Sequence, residues 1–201
     1  MTRRPRRKGE ETREDILSTA EQLFREQGFS KTTIADIAAA LSMSPANVFK
    51  HFHSKTALAD AIAARHLSRF TERLSSADIG LSAPERLLNL AMRLMEAHLK
   101  DFQDEPYLYE MVMMTARSGL PSGKIYRQLI ERKFAEIIRD GVEAGLYFCE
   151  APEKTAVFVS ACLVGVLHPV LVIEAEHDEL PARCRGIVAL INNALQNPLA
   201  K

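Results

Sequence analysis

The chain has 201 residues, no formal net charge at neutral pH, and 47% hydrophobic against 26% charged residues, the balance of a globular protein. No uninterrupted apolar run reaches the ~18 residues of a membrane-spanning helix, and the three cysteines (Cys149, Cys162, Cys184) are too sparse for a disulfide scaffold, which fits a reducing compartment better. Zero charge also speaks against a generic polyanion binder, yet residues 1–55 hold ten Lys/Arg against seven Asp/Glu while the rest holds sixteen against nineteen. The surplus of positive charge therefore sits at the N-terminal end.

The chain opens on M-T-R-R-P-R-R-K-G-E-E, basic but with no apolar segment behind it. That is not the pattern of a secretory signal, and a cytoplasmic location is expected. Arg3, Arg4, Arg6, Arg7 and Lys8 around Pro5 suit an arm able to enter a DNA minor groove, and equally a solvated tail with diffuse attraction to phosphates.

From there nearly every segment reads as helix. Residues 13–27 carry Ile16, Leu17, Ala20, Leu23 and Phe24 on one face, with a capping box expected at Thr12 and Asp15 and a stop at Gly28. Residues 33–41 follow, started by Thr33 and Asp36 and burying Ile34, Ile37, Ala38 and Leu41. Ser44 then Pro45 is a cap followed by proline at the first helical position, opening a third helix through about His51 that turns Val48 and Phe52 inward. Ser54 caps a fourth helix with Leu58, Ala61, Ile62 and Leu67.

After a Ser/Gly break at 75–82, Ser82, Pro84 and Glu85 start a helix that stops near Pro106. Helices of about 106–117 and 122–144 come next, then 152–175, with a kink expected at Pro169, and 181–197. V-L-V-I at 170–173 is β-branched but lies inside a helical pattern, so no strand is expected. The expected fold is all-α, about nine helices: an N-terminal arm and three-helix head over residues 1–55, and a larger helical body over 56–201.

Residues 32–58 carry the chemistry. Two short helices joined by a tight turn, with an apolar triangle behind (Ile37, Ala38, Leu41, Met43, Val48, Phe52) and polar groups in front, have the layout of a helix-turn-helix. Thr33, Ser44, Ala46, Asn47, Lys50 and His51 form the exposed set. Asn47 can pair bidentately with adenine and Ala46 can touch a thymine methyl. Lys50, His51 and Lys55 are placed for phosphates or bases, Lys55 at a helix start whose free amides also favour an anion. An ordinary helical hairpin with a solvated face has the same pattern. His51 and His53 sit two residues apart, and such side chains point away from each other on a helix, so no metal site is expected there.

The first helix at 13–27, G-F-S-K-T-T-I-A-D-I-A at 28–38 and S-P-A-N-V-F-K-H-F-H-S-K-T-A-L at 44–58 together resemble the N-terminal domain of the tetracycline-repressor (TetR) family of bacterial transcription regulators. Phe49, Phe52, Lys55 and Leu58 recur at the family's spacing. The resemblance implies a homodimer, a palindromic operator and a body that binds a small inducer; the expected mechanism is that a largely apolar ligand wedges the body helices and the helix at 55–75 swings as a lever. Two residues depart from the family pattern: Ser42 stands where Gly is usual, at a backbone cost if φ is positive, and Phe49 stands where Tyr is frequent, so Phe49 is expected to pack rather than to contact phosphate.

In the body, soft and aromatic groups adapt to apolar ligands. Met95, His98, Phe102, Met111, Met114, Arg117, Tyr126 and Phe134 are candidate pocket residues, with His98, Arg117 and Tyr126 as polar fixers; each also fits a plain core position. Val157, Ala161, Val164 and Gly165, with Ile187, Leu190, Ile191 and Ala194, form apolar sets with small residues that suit a four-helix dimer contact or packing within one subunit.

No Gly-rich phosphate loop, G-x-S-x-G or H-E-x-x-H occurs, so no catalytic residue, metal ligand or cofactor is expected. Glu174, Glu176, His177, Asp178 and Glu179 read as a solvated turn. A regulator sensing oxidation or metal through Cys or His, and an activator or constitutive DNA binder, stay open beside the ligand-released repressor.

Overall fold

In the computed structural model, residues 9–74, 80–115 and 119–197 are described. Among them are eleven helices and no strand: α1 Gly9–Gln27, α2 Ile34–Ala40, α3 Pro45–Phe49, α4 Lys55–Leu74, α5 Ala83–Asp104, α6 Pro106–Thr115, α7 Pro121–Glu143, α8 Pro152–Cys162, α9 Val164–Leu167, α10 Pro169–Glu174 and α11 Leu180–Gln196. None of the described helices is long and apolar enough to cross a membrane.

The helices gather into two compact units, one holding residues up to Leu67 with Glu105–Ser122, the other Ser68–Asp104 with residues from Gly123 on. In the first, α1 buries Ile16, Leu17, Ala20 and Phe24 at helical spacing. Ile37 and Ala38 of α2, Val48 of α3, Phe52, and Leu58, Ala59 and Ile62 of α4 complete the apolar centre. The first helix starts earlier than its sequence suggests: it is already helical at Gly9, so Thr12 lies inside it and is no cap. Glu10 and Glu11 occupy the first turn, where the helix dipole favours negative charge.

In the second unit, α5 packs against α9, α10 and α11. The expected start of α5 is present: the Ser82 amide and hydroxyl both donate to Glu85 Oε2, at 2.8 and 2.6 Å. Gly141 on α7 leaves room for the Tyr147 ring, which would collide with a β-carbon at that position. The Tyr147 hydroxyl donates to Asn192 Oδ1 at 2.5 Å, and Asn192 Nδ2 donates to the Pro84 carbonyl at 3.2 Å, tying the α7–α8 loop to α11 and the start of α5.

The single helix expected over 152–175 is three. His168 has ψ 121°, outside the helical range, because the ring of a following proline disfavours it there. Pro169 has no N–H and starts α10 instead of continuing α9. A second break falls at Leu163, whose carbonyl accepts from the amides of both Val166 and Leu167 at 2.9 Å and begins a new turn. V-L-V-I at 170–173 is helical within α10.

Candidate DNA-reading site

The two helices of the site are set by local chemistry. The Thr33 amide donates to Asp36 Oδ2 at 2.7 Å and the Asp36 amide donates back to Thr33 Oγ1 at 3.2 Å, a closed capping box. The Thr33 hydroxyl, which donates to the same Asp36 oxygen at 2.7 Å, and then the Thr33 amide hold the Asp36 carboxyl below its usual range. At the other end of α2, the Met43 amide donates to the Ala38 carbonyl at 2.9 Å and the Ser42 amide to the Ala39 carbonyl at 3.0 Å. That is a Schellman closure, and it requires a left-handed residue at its centre.

Ser42 supplies it, with φ 53°, where glycine would be unstrained. Replacing Ser42 by glycine is therefore expected to stabilise the chain by about 1 kcal/mol, read from urea unfolding. A variant no more stable than the parent refutes the strain. Ser44 then caps α3, accepting from the Asn47 amide at 3.3 Å, with Pro45 in the first turn.

Behind this turn, Ile37, Ala38 and Val48 are fully buried and Phe52 nearly so, while Leu41 and Met43 are half-buried. In front, Thr33, Ser44, Ala46 and Lys50 are exposed. Asn47 and His51 are half-buried, and Asn47 Nδ2 lies 3.5 Å from Met43 Sδ. Phe49 departs from expectation: it is 49% exposed rather than packed. Val48 and Phe52, four residues apart, take the inward face, and one residue on the helix turns Phe49 away from it.

Lys55 is half-buried at the start of α4. Its Nζ donates to the Ser30 carbonyl at 3.2 Å and stands 4.3 Å from the centroid of the Phe29 ring. Burial pulls its pKa down, opposed by the charges of Glu110 and Asp36. Arg3, Arg4, Arg6, Arg7 and Lys8 lie outside the described residues, as does Arg117.

Two polar clusters that the sequence did not announce brace the same unit. Glu21, on α1, is buried and accepts from the Tyr107 hydroxyl at 3.0 Å and Arg65 Nη1 at 3.1 Å, with His66 Nε2 at 2.9 Å. The hydrogen bond from His66, with help from Tyr107 and the charges of His66 and Arg65, outweighs burial and lowers its pKa to about 2. Glu110, on α6, accepts from the amides of Phe29 and Ser30 at 2.6 and 2.9 Å and from the Ser30 hydroxyl. Partners 44 to 86 residues apart leave no periodic trace, so only the folded chain reveals them.

The candidate pocket residues divide between the units. Met95 and Phe134 are fully buried in the second, where His98 Nε2 and the Tyr126 hydroxyl share a 2.5 Å hydrogen bond and the Phe102 ring stacks on His98 at 6.4 Å. Burial raises the Tyr126 phenol well above its usual pKa. Met111 is buried and Met114 exposed on α6, in the first unit.

Of the candidate interface residues, Leu190 is 72% exposed, and Val157, Ala161, Val164 and Ala194 are also exposed, in the same unit. Gly165 and Ile187 are half-buried and Ile191 is buried. Phe158, which the sequence pattern did not single out, is 59% exposed. Cys184 is buried, which pushes its thiol up to about 11 and keeps it protonated. Among the described residues no group of three or more His, Cys, Asp or Glu is placed to hold a metal ion.

The family model described as "Bacterial regulatory proteins, tetR family" matches residues 16–62, and that described as "Tetracyclin repressor-like, C-terminal domain" matches residues 83–188. The HTH-type transcriptional regulator TtgR of Pseudomonas putida is 36% identical over 62 residues, 31% of this chain and 30% of the relative. The match thus spans less than a third of that relative's length. The HTH-type transcriptional repressor Rv1474c of Mycobacterium tuberculosis is 26% identical over 190 residues, 92% of each chain. Thermus thermophilus FadR, a TetR-family repressor solved in complex with lauroyl-CoA, shares the fold at TM-score 0.67 and 20% identity, covering 94% of this chain and 97% of that one. With one family model spanning α2 and α3 and another more than half of the chain, the protein belongs to the tetR family of bacterial regulatory proteins.

Proposed function

We propose that the chain is a cytoplasmic, non-enzymatic transcription regulator: a homodimeric repressor that grips a palindromic operator and is released by a small, largely apolar ligand. The observation that carries this reading is the capped α2–turn–α3 pair, with Thr33, Ser44, Ala46 and Lys50 exposed over a fully buried Ile37, Ala38 and Val48. Side chains of α3 read base edges in the major groove, and Lys50 and the N-terminal arm neutralise phosphates. Exposed Phe49 adds apolar surface next to Lys50, suited to a sugar or a thymine methyl.

The exposed apolar face of α8, α9 and α11 supports the dimer, since Leu190, Phe158 and Val157 gain by leaving water. Two heads then meet half-sites one helical turn apart, about 34–36 Å, or a multiple of it. For the ligand, Met95, Phe102 and Phe134 supply an apolar lining and the His98–Tyr126 pair a polar anchor. The lauroyl-CoA held by the similar FadR carries an apolar acyl chain of the sort this lining would suit. Release requires that the ligand bind the DNA-free state better than the bound one.

The test begins with a duplex selected by the wild-type protein from a random-sequence pool. Asn47→Ala is expected to weaken binding to that duplex by about 10–100-fold and to relax specificity at the base it reads. Lys50→Ala is expected to lower the slope of log affinity against log salt by about 1. Unchanged binding in both variants refutes the assignment of α3 as the reading helix.

A further inference from the structure

The turn between α1 and α2 is held from outside the helix-turn-helix. Gly28 ends α1 at φ 87°, and its missing β-carbon leaves room for Glu110, whose Oε2 lies 2.9 Å from where that carbon would stand. The two amides that follow, of Phe29 and Ser30, donate to the two oxygens of the Glu110 carboxylate, and the Ser30 hydroxyl donates to one of them as well. Among the described residues neither amide has a backbone acceptor. Without Glu110 both would be left to water or unpaired, the Phe29 amide beside a side chain that is itself buried.

A second strut comes from α4. Lys55 Nζ bonds to the Ser30 carbonyl, so the same short stretch has its amides held from α6 and its carbonyl held from α4. Phe29 stacks edge-on against Phe24 of α1, ring centroids 5.0 Å apart, which anchors the turn to the core. Three residues beyond Ser30 the chain reaches Thr33, the cap of α2. The Thr32 hydroxyl closes the turn from within, donating to the Gly28 carbonyl at 2.9 Å, and the carboxylate on α6 holds its two free amides from outside. Charge-assisted bonds to backbone amides are short and directional, which suits a brace.

We propose that Glu110 is a positioning residue for operator reading: without touching DNA, it fixes the Gly28–Thr32 turn that aims α2 and α3 into the groove. The proposal rests on the operator-binding function above. It also gives Lys55 a duty within the head, where its charge faces Glu110 and Asp36.

Glu110→Gln tests it. The amide keeps the shape of the side chain but turns an NH2 toward one of the two backbone donors, so one bond is lost and the turn is released. The probe is the duplex that wild-type protein selects from a random-sequence pool. If the wild type selects none, operator binding itself fails. If it selects one, Glu110→Gln is expected to bind that duplex about tenfold more weakly, the value of one charge-assisted bond, while its weak binding to an unrelated duplex stays as in the wild type. Hydrogen exchange at the Phe29 and Ser30 amides is expected to rise while α5 and α11 stay protected.

A folded Glu110→Gln protein that binds the selected duplex as tightly as the wild type overturns the proposal, as does an equal loss on both duplexes. Should the variant fail to fold, Ser30→Ala, which removes only the hydroxyl bond, decides: a loss of about two- to threefold on the selected duplex alone supports the brace, and no loss overturns it.

Discussion

Replacing Glu21 by alanine is expected to cost about 3–5 kcal/mol of folding stability, enough to leave a domain of ordinary stability near its unfolding threshold. Glu21 is buried in the first unit, yet it is ionised, because the groups around it are donors or cations. Tyr107 and His66 lie within hydrogen-bonding distance, Arg65 Nη1 is 3.1 Å away and Arg25 Nη2 3.8 Å away. Truncating the carboxylate leaves those donors around a gap that cannot accept from them, and the penalty for an unpaired buried donor adds to the lost ion pairs. Urea unfolding followed by far-UV circular dichroism measures it; a loss below about 1 kcal/mol means the cluster is not what holds α1, α4 and α6 together.

The same residue gives the head an acid limit. The Glu21 pKa stands at about 2 in the folded chain against 4.5 for the unperturbed group. A depressed carboxylate contributes its stability fully above the unfolded pKa and loses it as pH falls through the folded one. The loss thus runs from just above pH 4.5 down to about 2 and amounts to roughly 3 kcal/mol. In Glu21→Gln that part of the pH dependence is expected to vanish. A wild-type profile that is flat over this range contradicts the assignment.

Leu190→Glu is expected to turn the proposed dimer into monomers. Leu190 is 72% exposed in the single chain, so the substitution leaves the subunit's own core intact. On a two-fold axis each patch meets its twin, and one change introduces two like charges into a desolvated face. Burying an unpaired carboxylate costs several kcal/mol, so the dissociation constant is expected to rise by roughly 10³-fold or more. Sedimentation at micromolar concentration reads the result directly. Circular dichroism is expected to match the wild type, because Val188 and Leu195 on the same helix remain buried as before. A stable Leu190→Glu dimer shifts the interface away from α11.

How far the chain can be read without its structure depends on the range of the interaction. The caps at Thr33, Ser44, Ser54 and Ser82 are legible because each acts within a span of three residues. The left-handed Ser42 is legible only through the family resemblance, where Gly is usual at that turn, and the structure gives it φ 53°. The start of the first helix is not, since Thr12 and Asp15 match a capping box that the preceding residues override by staying helical. Nor is the exposure of Phe49, because an aromatic residue among apolar positions looks like core until the face of α3 is known.

Sequence alone determined the all-helical class and the positions of α2 and α3, since hydrogen bonds within a few residues and an apolar period of 3.6 settle both. It also carried the motif by which the family is recognised. Only the tertiary structure decided what braces those helices. Glu110 on the 29–30 turn, Glu21 with Tyr107 and His66, and Arg25 against Glu105 join residues from 45 to 86 positions apart. Their pairing depends on how α1, α4 and α6 come together, and packing of buried surface decides that, not any preference of the local chain.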